Sequence, residues 1–229
     1  MGFQRKSFFN VAGDLEHERL RPQDFSALTA NRDYAHVEGA IAAGTQYFKW
    51  LTLNAEMDWG TATNFVPQSG PPVLAYSNTG QLRATVRPLK GLTVENTYLM
   101  TRLLDLNTRA NIFNNHIIRS KWNYQFTKEF SLRLIGQYTA TIANPALTTL
   151  QNTKAFNGDV LFTYLVNPGT AIYAGYNSDL QNIDPSLERL CSGAPCAPGQ
   201  SFDGLLRTRN SFINDGRQIF VKISYLFRY

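Results

Sequence analysis

Residues 218–229, QIFVKISYLFRY, decide the fold of this chain. Every second residue from Ile219 onward is apolar or aromatic, whereas most of the intervening positions are polar. A period of two is the pattern of a β-strand that has one apolar and one polar face. The stretch therefore predicts a strand whose apolar face must be covered by something other than water.

The same alternation recurs along the chain and predicts an all-β meander. The strands are expected near residues 3–14, 33–43, 47–60, 73–87, 92–103, 113–127, 129–141, 156–167, 170–178 and 217–229. We interpret 1–229 as one domain, in which 1–44 hold weakly defined first strands with their loop and 45–229 form a clear meander. Such a succession of neighbouring strands is typical of an antiparallel up-and-down sheet.

The connections between the predicted strands alternate in length. The segments 87–92, 126–130 and 166–170 read as tight turns, and Pro168-Gly169 predicts a type II turn with Gly169 at positive φ. The longer polar links are 60–75, 103–115, 141–155 and 178–216. Outer-membrane barrels have short turns on the periplasmic side and long loops outside. We therefore predict an antiparallel up-and-down transmembrane β-barrel of about ten strands, with 178–216 as a long extracellular loop.

The composition is compatible with a membrane barrel. The mean hydropathy is −0.27, but 43% of the residues are hydrophobic and 13% are aromatic. Lumen-facing residues dilute the lipid-facing ones in such a barrel. Aromatic residues near the strand ends are expected to form interfacial girdles, and a soluble β core filled by the same rings stays an alternative. The net charge is +5, but the basic residues are scattered, which disfavours nucleic-acid binding.

The polar faces of the strands place charged side chains inside the predicted barrel. The expected lumen-lining residues are Arg83, Arg87, Arg119, Lys121, Arg133, Lys222, Arg228, Glu56, Asp58 and Glu95. Their excess of bases favours passage or uptake of anions or small polar solutes. The alternative is a ladder of internal salt bridges that fills a narrow barrel.

Catalytic and metal-binding patterns are weak, so we expect no enzyme and no cofactor, and a membrane-embedded hydrolase is the least favoured alternative. His116 and Ser120 share a strand face, but four residues along a strand separate them by about 13 Å. Oxygen ligands for calcium are offered by Asn177, Asp179, Asn182 and Asp184, without the glycine-centred EF-hand spacing. Ordinary loop solvation is therefore the favoured interpretation, and no metal is expected.

Two further features belong to the predicted extracellular loop and to the chain end. Cys191 and Cys196 lie in CSGAPCAP, which indicates a small disulfide and an oxidising compartment. A second function left open is a structural barrel whose 178–216 loop binds surface polysaccharide or a partner.

The aromatic residues Tyr225, Phe227 and Tyr229 are expected to act as the signal for the outer-membrane barrel-assembly machinery, which pairs with an exposed edge strand.

Several motifs resemble one bacterial family of unknown function. These are NYQFT (123–127), SLR (131–133), TYLVNPGTA (163–171) and VKISYLFR (221–228). They are similar to the C-terminal outer-membrane barrel of this family, whose full-length members carry an N-terminal domain like a family 9 carbohydrate-binding module. The resemblance covers about residues 45–229. It implies a location in the outer membrane of a Gram-negative-type bacterium, in contact with its lipid, and it carries over no catalytic residue.

The N-terminal residues do not read as an export signal. The stretch MGFQRKSFFNVAGDLEHERL (1–20) has no apolar segment of the length that a secretory signal needs. We therefore expect the chain to be a fragment, a misplaced start or a truncated gene, and the C-terminal part of a larger barrel.

Overall fold

A computed structural model gives the fold and describes residues 6–182, 189–191, 194–195, 197, 204–205 and 212–226. All regular structure in these residues is β-strand. The long strands are β1 (Ser7–Leu20), β2 (Arg32–Thr45), β3 (Leu51–Asn64), β4 (Val73–Leu89), β5 (Leu92–Asp105), β6 (Asn111–Gln125), β7 (Phe130–Ala143), β8 (Thr153–Asn167), β9 (Thr170–Asn182) and β13 (Ile213–Tyr225). The short strands are β10 (Arg189–Cys191), β11 (Ala194–Pro195) and β12 (Gly204–Leu205).

The long strands form one 10-stranded antiparallel sheet in chain order, from β1 to β9 and then β13. The predicted all-β, up-and-down arrangement is therefore confirmed. Among the described residues, β1 pairs only with β2 and β13 pairs only with β9, so the sheet is open between these two edges. The short strands form a separate three-stranded sheet within the segment predicted as a long loop.

The connections lie at two ends of the sheet. At the short-turn end they are 46–50, 90–91, 126–129 and 168–169, and at the long-loop end they are 21–31, 65–72, 106–110, 144–152 and 183–212. Most strands run further toward the long-loop end than the sequence predicted. The expected link 103–115 therefore shrinks to five residues, because β5 and β6 stay paired almost to their ends.

Glycine is required at one of the tight turns. Gly91 has a φ of +87°, and a Cβ built there would lie 2.7 Å from the carbonyl oxygen of Gln125. The prediction for Gly169 is wrong, because Gly70 and Gly91 are the described glycines with positive φ. The side chain of Asn167 accepts a hydrogen bond from the Gly169 amide at 3.0 Å, so the turn closes without a left-handed residue.

The sheet curls so that its polar face becomes concave. The connections 65–72 and 144–152 follow β3 and β7, yet they meet through an isolated bridge between Pro67 and Thr148. Leu147 from the second connection packs against a buried cluster that contains Ala75 and Leu103. These two cluster residues belong to the polar face, so both connections lie over it. We call the two segments together the loop bridge, the concave face the inner face and the opposite face the outer face.

Candidate functional site

The predicted lumen residues share the inner face. Arg83 lies opposite Thr97, and Thr97 lies opposite Arg119. Residues directly opposite each other in an antiparallel pair project on the same side of the sheet. The register gives this face to Glu56, Asp58, Arg83, Glu95, Arg119, Lys121, Arg133 and Lys222. Arg87 lies in a bulge of β4 and lines a pocket with the inner-face residues Thr93 and Arg133. Arg228, the remaining residue of the predicted set, lies outside the described residues.

The first two strands add acidic residues that the sequence prediction did not include. Asp14, Glu16 and Glu18 project from β1 on the inner face, and Glu38 of β2 lies opposite Asp14. The alternation in DLEHE (14–18) is the signal that reveals them, but the predicted first strand ended at residue 14. The inner face is therefore not uniformly basic. Acids predominate on β1 to β3, whereas the bases are concentrated on β4, β6 and β7.

Few of these charges are paired with each other. Lys121 Nζ lies 3.2 Å from Glu95 Oε2, and this is the ion pair that the described part of the predicted set contains. Asp58 accepts a hydrogen bond from the Thr79 hydroxyl at 3.2 Å. Two amide–carboxylate bonds, from Asn177 to Asp159 and from Asn157 to Asp179, link β8 and β9. Among the described residues of the predicted set, the charges therefore form one ion pair and no continuous ladder of salt bridges.

The loop bridge covers the inner face at the long-loop end. The Thr148 hydroxyl donates to the carbonyl oxygen of Val66 at 2.6 Å, and the Thr149 amide donates to the same oxygen at 3.2 Å. Asn64, the last residue of β3, and Asn144, the first residue of the second connection, are among the most completely buried side chains. Their amide oxygens accept backbone hydrogen bonds at 3.1 Å from Val66 and Ala146, respectively. Each buried side chain thus offsets its desolvation by stabilising a turn.

A buried histidine fills the place where β2 and β3 separate. Pairing of these strands ends at Glu38 and Gly60. Beyond that point the ring of His36 has Nε2 at 3.3 Å from Glu18 Oε2, and the Thr63 hydroxyl donates to the same oxygen at 2.6 Å. An activated nucleophile needs its proton directed to a base such as histidine. Here the Thr63 hydroxyl makes its shorter bond to the carboxylate, at 2.6 Å against 3.3 Å to His36 Nε2, so the cluster fills the gap between β2 and β3.

In the described strands, the outer face is largely apolar and carries no charged side chain toward the short-turn end. Charge-free outer stretches include 9–15 on β1, 92–100 on β5, 116–124 on β6 and 156–166 on β8. The charged outer residues of the described strands are Arg19, Asp33, Arg102, Lys154 and Arg217, all toward the long-loop end. About 9–11 residues of a tilted strand cross a bilayer core. The apolar band therefore has a height that matches this core.

Aromatic side chains line the short-turn end of this band. Successive ring centroids are 4.4 Å apart for Tyr124 and Phe126, 5.2 Å for Phe126 and Phe130, and 6.1 Å for Phe130 and Phe162. Tyr225, from the predicted assembly signal, projects from the outer face of β13. Phe227 and Tyr229 lie outside the described residues. A row of rings at one end of an apolar band is the arrangement expected at a membrane interface.

The remaining candidate residues do not come together as a reactive or metal-binding group. On the outer face, His116 Nδ1 lies 2.9 Å from the Tyr98 hydroxyl, whereas the Ser120 hydroxyl donates to Asn96 at 2.7 Å. His116 and Ser120 are thus engaged by different neighbours.

Of the four side chains considered for calcium, Asn177 and Asp179 are used in the β8–β9 bonds described above, and Asn182 is buried at the end of β9. Asp184 lies outside the described residues. No cluster of three or more His, Cys, Asp or Glu residues occurs in the part of the chain that the structure describes. The predicted disulfide also falls outside it, because Cys196 is not described.

Comparison with known proteins adds no relative. No protein-family model, no curated protein and no solved structure matches the chain. Within the described residues, no helix has the length and apolar character needed to cross a membrane.

Proposed function

We propose that the chain is an outer-membrane β-barrel, or the C-terminal part of one, that passes or takes up small polar solutes without catalysing a reaction. The observation that carries the proposal is the charge-free outer band. Val11 is 63% exposed and Val221 is 70% exposed. A soluble monomer rarely leaves a continuous apolar patch of more than a few hundred Å² in water. In a bilayer the same band faces lipid and needs no other cover.

The inner face supports the second half of the proposal. Exposed arginines that lack an ion-pair partner among the described residues, such as Arg83 and Arg119, require water. A curled sheet with water inside and lipid outside supplies both environments. Within the described residues the open edges are β1 and β13, whose unpaired backbone groups must be covered before the sheet can stay in lipid. We propose that these edges close on each other or on further strands.

The proposed location and partners follow from the same reasoning. We propose that the chain lies in the outer membrane of a Gram-negative-type bacterium, where lipid contacts the band and the barrel-assembly machinery binds β13. The resemblance to the barrel of the family with a carbohydrate-binding-like domain supports this placement. We propose membership of that family on the motifs at 123–127, 131–133, 163–171 and 221–228.

The test is expression of the chain behind a bacterial signal peptide, followed by electrophoresis of the outer-membrane fraction with and without boiling. We expect heat-modifiable migration, because a closed barrel resists cold detergent. Planar-bilayer recordings of the purified protein then measure the passage of ions. Recovery of a folded, water-soluble product would refute the membrane proposal. A heat-modifiable protein that does not conduct would refute the passage of solutes but would still support the barrel.

A further inference from the structure

A basic pocket lies at the short-turn end of the inner face. It has a volume of about 700 Å³, and its lining includes Arg87, Lys90, Thr93, Asn123, Ser131 and Arg133. This volume is within the usual range of small-molecule sites. The pocket lies at the opposite end of the sheet from the loop bridge.

Strand register brings the polar side chains of the pocket into one row. Thr93 on β5 lies opposite Asn123 on β6, and Asn123 lies opposite Arg133 on β7. Arg87 lies in a bulge of β4 between Val86 and Leu89, which pair with Val94 and Leu92, and it lines the pocket together with Thr93. Neighbouring strands are about 4.8 Å apart, so the backbones of the two arginines are separated by about 14 Å. Two long side chains that start at this spacing can converge on one ligand above Thr93 and Asn123.

No acidic side chain in the lining neutralises the positive charge of the pocket. Its lining contains no aspartate or glutamate. Within the described residues, no carboxylate forms an ion pair with Arg87, Lys90 or Arg133. In the neighbouring row Lys121 is paired with Glu95 at 3.2 Å, so the inner face does neutralise a base where a partner is supplied. The three cations of the pocket therefore retain their capacity to bind an external anion.

We propose that this pocket binds a phosphate or carboxylate group of a small polar solute. A guanidinium forms paired hydrogen bonds with such oxyanions, and two guanidinium groups on opposite sides hold one anion more tightly than scattered charges do. Hydroxyl and amide donors from Thr93, Ser131 and Asn123 complete the set. This inference rests on the proposed function, since it names the solute class that enters the barrel.

The test is a calorimetric titration of the purified chain in a maltoside detergent, which contributes neither phosphate nor carboxylate. The probes are inorganic phosphate, pyrophosphate and citrate. We expect saturable binding, and a loss of at least about tenfold in affinity in the double variant Arg87→Gln/Arg133→Gln. The matched control is Arg102→Gln/Arg217→Gln, which removes the same charge from the outer face and should leave the affinity within about twofold.

A third double variant tests the guanidinium groups separately from their charge. Arg87→Lys/Arg133→Lys keeps the charge but removes the guanidinium fork, and its affinity should fall between the wild-type and glutamine values. Heat-modifiable migration shows whether each variant has folded. Equal affinity in the wild type and the folded glutamine variant would overturn the proposal. An equal loss in the outer-face control would also overturn it, because general charge and not the pocket would then determine binding.

Two further measurements identify the source of the bound anion and distinguish failure of the pocket from failure of the proposed function. Competition by dihexanoyl phosphatidylglycerol, but not by the matching phosphatidylcholine, identifies a lipid headgroup as the phosphate bound. Competition by pyrophosphate alone identifies a free solute. Conductance of the same preparations is recorded in parallel. A protein that conducts but binds no probe refutes the pocket alone, whereas one that binds a probe without conducting refutes passage and keeps the pocket.

Discussion

Two adjacent isoleucines on β6 provide a direct test of which face of the sheet meets lipid. Ile117 projects to the inner face opposite Thr139, whereas Ile118 projects to the outer face opposite Tyr138 and is 50% exposed. Substitution of each by arginine changes the same residue type at neighbouring positions. In a soluble protein the exposed Ile118 should accept arginine easily, and the half-buried Ile117 should not.

The magnitude follows from the position of Ile118 in the apolar band. It lies two residues from Ser120, the centre of the charge-free stretch 116–124, which is about 5 Å along the normal of a bilayer when the strand is tilted. Arginine at the midplane of a barrel costs about 2–4 kcal/mol. We therefore expect Ile118→Arg to lower the free energy of unfolding by about 2–3 kcal/mol, a factor of about 30 to 140 in the equilibrium constant.

The inner-face substitution should cost much less. Arginine at position 117 enters a hydrated face whose cross-strand row contains Glu56, and a change of about 1 kcal/mol or less is expected. The assay is guanidinium unfolding of the refolded chain in phosphatidylcholine vesicles, followed by the fluorescence of Trp122 and the other tryptophans. Equal costs for the two variants, or a larger cost for Ile117→Arg, would refute the assignment of the outer face to lipid.

Three further predictions follow from local geometry. Both Gly91→Ala and Gly70→Ala place a side chain at positive φ, but only the first creates a contact of 2.7 Å with Gln125. Gly91→Ala should therefore lower the free energy of unfolding by about 1–3 kcal/mol more than Gly70→Ala does. Thr148→Val removes the 2.6 Å hydrogen bond to Val66 and should lower the free energy of unfolding by about 1–2 kcal/mol. The control Thr149→Val changes an exposed neighbour and should be nearly neutral. Similar losses in the two variants would contradict a stabilising role for the Thr148 bond. Tyr225→Asp places a charge on the outer face of β13 and should reduce the heat-modifiable fraction in the outer membrane. The control Ser224→Asp places the charge on the inner face and should not reduce it. An unchanged fraction for Tyr225→Asp would refute the expected role of Tyr225 in barrel assembly.

The strands were predictable because their alternation is local, but some of their ends were not. Residues 178–182 read as loop in the sequence, since Asn and Asp are typical of turns. In the structure β9 continues to Asn182, and Asn177 and Asp179 bond to Asp159 and Asn157 on β8. Cross-strand pairing thus satisfies polar groups that would otherwise favour a turn. Such pairs are visible only when the register is known.

The loop bridge and the sorting of charges depended on longer-range information. Nothing in ANPALTT (143–149) distinguishes Thr148 from an ordinary loop threonine. Its role arises only because the curl of the sheet brings it to Val66, more than 80 residues away. The acids of β1 were within reach of the alternation rule, whereas their separation from the bases of β4, β6 and β7 required the strand order.

The two faces together explain the mean hydropathy of −0.27. Averaging an apolar outer face with a charged inner face hides both of them. At the short-turn end, the uncompensated Arg87 and Arg133 keep the inner face wet, because a dry site would cost several kcal/mol for each charge. At the long-loop end, the partly buried Leu147 and the buried Thr148 cover part of the same face. Within the described residues, the loop bridge therefore covers part of the inner face at the long-loop end, whereas the charged pocket lies at the short-turn end.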